Sequence, residues 1–393
     1  MSKRYDAIVV GAGPAGSTCA RTLAESKLQV LLLEKHAIIG QPLCCAEGIS
    51  YSGLTSFVVP REEWISSRID KVILVSPDKE RLKINHPKAG FVLNRMVFDR
   101  DMALMAESAG ANLKISADVI GLLKDRDGSV KGVRVQEQDK VVDYQARVII
   151  GADGIESQIG KRAGLNTILP SEKIESCAQY LLENVELEKD CMEFYLGEKI
   201  APGGYMWVFP KGENRANVGV GIAPHISSRK AIDYLNDFVK YRFNHFHIRE
   251  KMMGGVPVFN KNNHLVKRNV LLVGDAGRIV DSLSGAGIYN AMLSGRICAT
   301  VVSQYLKNGD LPLSFLQNYY RELMEIRGRE LRFYAYCRAL YLKLKDKDFN
   351  LIVSFLKSYF KDEEIKSINP IPIIKAILKF NPKILLLAKH LVW

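Results

Sequence analysis

The residues of this 393-residue chain best suited to chemistry fall into a few short groups. Gly11, Gly13 and Gly16 form G-x-G-x-x-G directly after the apolar run Ala7 to Val10, and Glu34 closes the next apolar run, Val30 to Leu33. Gly11 permits a tight turn, Gly13 lets a pyrophosphate approach the backbone, and Gly16 lets helix and strand pack closely. The helix that follows offers unpaired N–H groups and a positive dipole end to phosphates. Glu34 is placed to accept hydrogen bonds from ribose hydroxyls. Further along, Tyr205, Trp207 and Phe209 occupy alternate positions between Pro202 and Pro210. Such positions share one face of a strand, so the rings form an aromatic wall while Met206 and Val208 point the other way. A wall of this kind packs a core or holds a substrate, and the stretch alone does not choose. Cys44 and Cys45 add two adjacent thiols.

These groups require elements to hold them. "YDAIVVGAGPAGSTCARTLAESKLQVLLLEK" reads as strand, glycine turn, helix and strand, so every part of the fingerprint agrees. "ARVIIGADGIESQIGKRAG" is an apolar strand running into Gly151, Asp153 and Gly154. "RNVLLVGDAGRIVDSLSGAGIYNAMLSGR" runs into Gly274, Asp275 and Gly277, then Gly285, Gly287 and a helix. "DKVILVSPDKERLKINHPKAGFVL" and the span Ile174 to Phe259 alternate like antiparallel strands, and "DRDGSVKGVRV" reads as a further hairpin of the first domain. From Leu313 the pattern turns helical. The expected fold is α/β, with a discontinuous Rossmann-type dinucleotide-binding domain over residues 1–70, 90–165 and 265–305. An inserted antiparallel-sheet substrate domain covers 71–89 and 166–264, and a C-terminal helical region covers 306–393.

The three glycine-bearing strand ends resemble the flavoproteins that include aromatic hydroxylases and geranylgeranyl reductases. The resemblance implies FAD, with Asp275 on its ribityl chain and the helix after Gly287 directed at the flavin ring. Arg95 and Asp99 match that family's R-x-x-x-D pattern near the flavin; a surface salt bridge to the helix start is their alternative role. Ser282 departs from the family, standing where many relatives carry proline. Two further pieces narrow the likeness to the geranylgeranyl reductases. "YMWVFPKGENRANVGVGI" matches their Y-x-W-x-F-P and N-V-G-x-G motifs through Tyr205, Trp207, Phe209, Pro210, Asn217, Val218, Gly219 and Gly221. "IGQPLCCAEGIS" resembles their G-x-P-x-x-C-A-E-G segment through Gly40, Pro42, Cys45, Ala46, Glu47 and Gly48. The resemblance, which runs to about residue 305, assigns FAD contacts to Gly11, Gly13, Ala15, Gly16, Glu34, Cys45, Ala46, Gly48, Arg95, Asp275, Gly287 and Ile288. It assigns the substrate to Tyr205, Trp207 and Phe209.

The reaction it implies is reduction of isolated C=C bonds in the geranylgeranyl chains of a prenyl lipid, an archaeal-type ether lipid precursor first among them. Menaquinone side chains or a (bacterio)chlorophyll tail are variants. Tyr205 to Phe209 spans roughly 13 Å of strand, enough to line a few isoprene units. An isolated trisubstituted alkene accepts hydride poorly, so a proton on the less substituted carbon must precede or accompany hydride transfer from flavin N5. Cys45 is a candidate acid, because an ordinary thiol stays protonated at neutral pH. Tyr205 and an ordered water are alternatives, and a structural role for Cys45 is another. Two other classes share the FAD elements: an oxygen-requiring monooxygenase of the aromatic-hydroxylase type, and a flavoprotein that only relays electrons. No second G-x-G-x-x-G follows a strand, so electrons are expected from transiently docked NAD(P)H or a ferredoxin-like protein.

Composition bounds the setting. Hydrophobic residues make up 47% and charged residues 25%, as in soluble globular proteins. The net charge of +12 suits an acidic partner such as a lipid phosphate or membrane face. Nucleic acid is not expected, since no basic run with interleaved aromatics occurs. Seven scattered cysteines without metal spacing fit a reducing cytoplasm and no metal site. No signal peptide is read at the start, and no apolar run reaches membrane-spanning length. The segment Ile365 to Trp393 carries Lys366, Lys375, Lys379, Lys383 and Lys389 without an acid, divided by Pro370, Pro372 and Pro382. It is expected to lie on a membrane interface with its lysines at the phosphates, or else to cap the protein's own core or a second subunit.

Overall fold

The computed structural model describes residues 4–126, 128–260 and 264–360. The lysine-bearing segment from Ile365 lies outside the described residues. The chain divides into two compact units, each gathered from three separated segments.

The first unit joins the chain up to Leu43 with Arg95–Leu169 and Pro257–Ala335. Strand Arg4–Val10 is central in its sheet, which explains its continuous apolar run from Ala7: both faces are covered. Val30–Leu33 and Lys140–Gly151 flank it in parallel. Asn112–Lys114 and Val270–Leu272 extend the row outward, again parallel. Ala117–Lys124 and Val130–Glu137 form the expected hairpin, attached antiparallel to Lys140–Gly151. This is the Rossmann arrangement, in which ligands sit beyond the carboxyl ends of the strands.

The second unit joins Cys44–Asn94, Pro170–Val256 and the chain from Tyr336. Its sheet runs His247–Pro257, Ile174–Glu183, Arg215–Ile222, Tyr205–Pro210, Cys191–Leu196, Ile65–Val75, Arg81–Leu93 and Gly48–Ser50. The pairings with recorded register are antiparallel except that of Ile65–Val75 with Cys191–Leu196. Alternation sorts the strand Tyr205–Pro210 as expected. Met206 and Val208 enter a core with Ala178, Tyr180, Val218 and Val220, closed by Leu235, Phe238 and Val239 of helix Ala231–Arg242. Trp207 and Phe209 enter a separate cluster on the opposite face with Ile69, Val92 and Met192. The helical region expected late in the chain is present as Asn318–Ile326, Gly328–Tyr341 and Asp346–Phe360. Among the described residues no helix is long and apolar enough to cross a membrane, and no side-chain cluster is arranged to hold a metal ion.

Candidate active site

In the first unit the fingerprint glycines are needed for close approach. A Cβ on Gly11 would fall 2.3 Å from the Ala152 carbonyl oxygen, and one on Gly16 only 1.8 Å from that of Gly11. Gly13 differs, for a Cβ there would meet nothing within 4 Å. It heads helix Pro14–Glu25, which no side chain caps. Pro14 has no N–H, and the other first-turn N–H groups lack intrahelical partners. An uncapped helix start of this kind suits a phosphate. Ala15 packs under it, its Cβ 2.9 Å from the position a Cβ on Gly274 would take.

Glu34 sits where strand Val30–Leu33 ends, and the backbone fixes its carboxylate: Oε2 accepts from Ala12 N–H at 3.0 Å and Oε1 from His36 N–H at 2.9 Å. A carboxylate offers about four acceptor sites, so Oε2 retains capacity for a hydroxyl. Arg95 forks onto Asp99, with Nε and Nη2 each 2.7 Å from a carboxylate oxygen. Both side chains are largely buried, so this is no surface pair. Asp275 lies beside Gly287, its Oδ1 3.4 Å from where a Cβ on Gly287 would sit, and Gly287 heads helix Ile288–Lys307, also without a side-chain cap. Burial pushes the Asp275 carboxyl up and the Arg95 charge opposes the push. An acceptor beside an uncapped helix start suits hydroxyls of a polyol chain. These residues thus fit the flavin nucleotide implied by the resemblance. Ser282, the departure from proline, has a local reason: its Oγ accepts the Phe259 N–H at 3.1 Å.

In the second unit the structure brings the two motif segments together. The edge of Phe209, at Cε2, lies 3.1 Å from where a Cβ on Gly48 would be, and Ala46 packs on the Trp207–Phe209 cluster. Glu47, 1% exposed, anchors this segment: Oε2 meets the Lys211 ammonium at 2.5 Å and the Asn217 amide at 2.6 Å. Burial pulls the Lys211 pKa down, and the Glu47 carboxylate opposes it. The Glu47 N–H donates to Cys45 Sγ at 3.2 Å, which fixes the thiol's orientation. Cys44 is exposed and its Sγ donates to the Met253 carbonyl at 3.2 Å.

The wall itself is a connected set of rings. Tyr205 to Trp207 and Trp207 to Phe209 have centroids 6.0 and 6.5 Å apart, and Phe194 meets Tyr205 and Phe209 edge-on at 5.5 and 5.3 Å. Trp207 and Phe209 are buried and Tyr205 is half-buried. Gly219 and Gly221 of N-V-G-x-G lie opposite Trp207 and Tyr205 on the next strand. A Cβ on Gly219 would be 2.3 Å from the indole, so the ring occupies the place of a side chain. The indole thereby reaches past the strand to donate Nε1–H to Gln179 Oε1 at 2.9 Å, and Gln179 Nε2 donates to the Cys45 carbonyl at 3.0 Å. Gln179 and Lys211 were not picked out from the sequence. The alternation Glu175, Cys177, Gln179 was a usable signal, polar groups at every second position of an apolar strand.

Residues 173–256 match the model of the geranylgeranyl reductase catalytic domain, and residues 9–47 that of the NAD(P)-binding Rossmann-like domain. Digeranylgeranylglycerophospholipid reductase from Methanocella arvoryzae is 38% identical, over 98% of each chain. That of Methanothrix thermoacetophila is also 38% identical, over 99% of this chain and all of its own. A geranylgeranyl bacteriochlorophyll reductase-like protein of Thermoplasma acidophilum superposes over 100% of both chains with TM-score 0.93 and 31% identity. A flavin-dependent brominase, 16% identical with TM-score 0.71, shares the fold.

Proposed function

The chain belongs to the geranylgeranyl reductase family of flavin-dependent oxidoreductases, and from that premise we propose that it saturates isolated C=C bonds in the geranylgeranyl chains of a prenyl lipid precursor, with FAD as the flavin. The observation that carries this reading is the ring-lined face of the second unit, where the wall and the Cys45 segment meet under one hydrogen-bonded glutamine. The relatives' names favour a digeranylgeranylglycerophospholipid, the precursor of archaeal-type ether lipids.

In this reading Gly11, Gly13, Ala15 and Gly16 seat the pyrophosphate, Glu34 the adenosine ribose and Asp275 the ribityl chain, and Arg95, Gly287 and Ile288 lie toward the flavin ring. Cys45, Ala46 and Gly48 are further proposed contacts. When bound and reduced, the flavin supplies an electron pair as hydride. Everything else falls to the chain. Tyr205, Trp207 and Phe209 orient the alkene, exclude water from it and present π faces to positive charge developing on the tertiary carbon. Cys45, or else Tyr205, holds the proton for the less substituted carbon. Glu47, Lys211 and Asn217 hold the Cys45 segment in register. Electrons reach the protein from NAD(P)H or a ferredoxin-like donor, and the charge of +12 favours work at an anionic membrane face.

Anaerobic photoreduction of the purified flavoprotein, followed by addition of a geranylgeranyl phospholipid, tests the reading. Flavin reoxidation with gain of two hydrogens per double bond is expected. An obligatory oxygen atom in the product would identify a monooxygenase instead, and no response to any prenyl lipid would leave an electron relay.

A further inference from the structure

The second unit buries an ionic pair that the reading above does not use. Glu175 and Cys177 share the strand face on which Gln179 meets Trp207. Glu175 pairs through Oε1 with Nη2 of Arg338, whose side chain is 4% exposed. The Glu175 side chain is 15% exposed, and its other oxygen, Oε2, is buried without a hydrogen-bond partner, as are Nη1 and Nη2 of Arg338. Cys177 lies opposite Gly221, and Gly221 opposite Tyr205, so Glu175 stands just past the Tyr205 end of the ring row. Tyr341 closes that end, donating its hydroxyl to the Gly204 carbonyl at 2.7 Å.

Among the described residues few ionisable groups face this carboxyl, and in the turn Ser171–Lys173 just before its strand Glu172 is exposed and Lys173 half-buried. Arg338 and Tyr341 come from helix Gly328–Tyr341, and Cys177 from its own strand. The neighbouring strand Arg215–Ile222 brings Gly221 alongside, strand His247–Pro257 ends in Gly254, Gly255, Val256 and Pro257, and His225 in the turn Pro224–Ile226 is exposed. Burial pushes the Glu175 carboxyl up to about 7 despite the pull of Arg338. In a protonated Glu175 the open Oε2 would carry the hydrogen, and the Arg338 cation beside it would stabilise the carboxylate left when the proton goes.

We propose that Glu175 is the proton store of the reduction, a positioning residue that refills the acid which protonates the alkene, with Arg338 holding the carboxylate left behind. The proposal rests on the prenyl-reduction reading and deepens it. For each double bond the π bond breaks and two C–H bonds form. The acid beside the alkene would give its proton to the less substituted carbon, and the other carbon would take the hydride that a bound, reduced flavin supplies. One proton from Glu175 then restores the acid, and water returns one to Glu175.

The test compares wild type, Glu175→Gln and Glu175→Asp in anaerobic lipid-driven reoxidation from pH 5.5 to 8.5, and in infrared pH titration. In the wild type the reoxidation rate should fall as pH rises through about 7. Glu175→Gln should be slower at low pH by about tenfold, less than the roughly 10²–10⁴-fold of an acid that meets the alkene itself, and lose the pH dependence. Glu175→Asp should regain part of both. The infrared band of a protonated carboxyl should titrate in the wild type and be missing from Glu175→Gln, whatever the lipid does. A Glu175→Gln protein with wild-type rate and pH profile, or no carboxylic-acid band assignable to Glu175, would overturn the proposal. If the wild type itself ignores prenyl lipid, the functional reading fails, and this role with it.

Discussion

Replacing Glu47 by Gln keeps the size of a buried side chain and removes one charge of its pair with Lys211. Removing one partner of a buried ion pair costs about 3–5 kcal/mol, because the remaining charge is left in a poor solvent. Lys211 is 13% exposed and keeps the Leu93 carbonyl at 2.6 Å, so part of its solvation survives. It also has an escape, which is to give up its proton. From an ordinary lysine pKa of about 10.4, staying neutral at pH 7 costs about 5 kcal/mol, and that ceiling drops by about 1.4 kcal/mol per pH unit. The sign follows from linkage: in the variant the folded state binds one proton fewer at Lys211 than the unfolded state, so stability rises with pH. The penalty of Glu47→Gln relative to wild type should therefore be about 3–5 kcal/mol at pH 7 and no more than about 2 at pH 9. Urea unfolding at pH 7, 8 and 9, followed by tryptophan emission, measures it, since Trp64 and Trp207 both lie in the second unit. A penalty that stays constant across this range, or is below about 1 kcal/mol at pH 7, would refute the argument that Lys211 is charged only by virtue of Glu47.

Gly13→Val should fold, since its Cβ meets open space, yet purify without flavin; a stoichiometrically yellow protein would contradict the phosphate placement. Trp207→Ala should lose about 3–5 kcal/mol of stability from the emptied ring site and impair prenyl turnover while keeping flavin, with absorbance and denaturant titration reading the two effects separately. Trp207→Phe keeps a ring but strands the Gln179 amide oxygen, at about 1–3 kcal/mol. Cys45→Ser should slow alkene reduction and leave dithionite reduction of the flavin unchanged; full turnover would remove Cys45 as the acid.

What the sequence made legible was what short-range geometry demands. Gly11 and Gly16 can be read because no side chain fits there, whatever the rest of the fold does. The alternation around Trp207 can be read because a strand has period two, and the structure sorts Met206 and Val208 to the other face accordingly. Whether the wall is core or contact surface was not open to that reasoning; in the structure Trp207 and Phe209 are buried and pack in a cluster with Ile69, Val92 and Met192. Lys211, Gln179 and Arg338 were missed because their roles depend on partners far away in the chain, Glu47, Cys45 and Glu175. Long-range register, which no local pattern encodes, creates those pairs. Ser282 shows the same from the other side: a departure from a motif proved to be a hydrogen bond to Phe259.

The chain crosses between its two units five times, and this bears on how it is made. Strand Arg4–Val10 pairs with residues 145–151, and 149–151 pair with Val270–Leu272, so its sheet is assembled from parts far apart in the chain. The strand can pair with Val30–Leu33 at once, but its other edge stays open until residues 145–151 are made, and that neighbour in turn until Val270–Leu272. Non-local strand pairing is slow to form and exposes sticky edges meanwhile. Slow maturation and a need for chaperone protection during synthesis are expected. A single cut in the gene will not release either unit whole, since each needs three pieces of chain to close its sheet and its core.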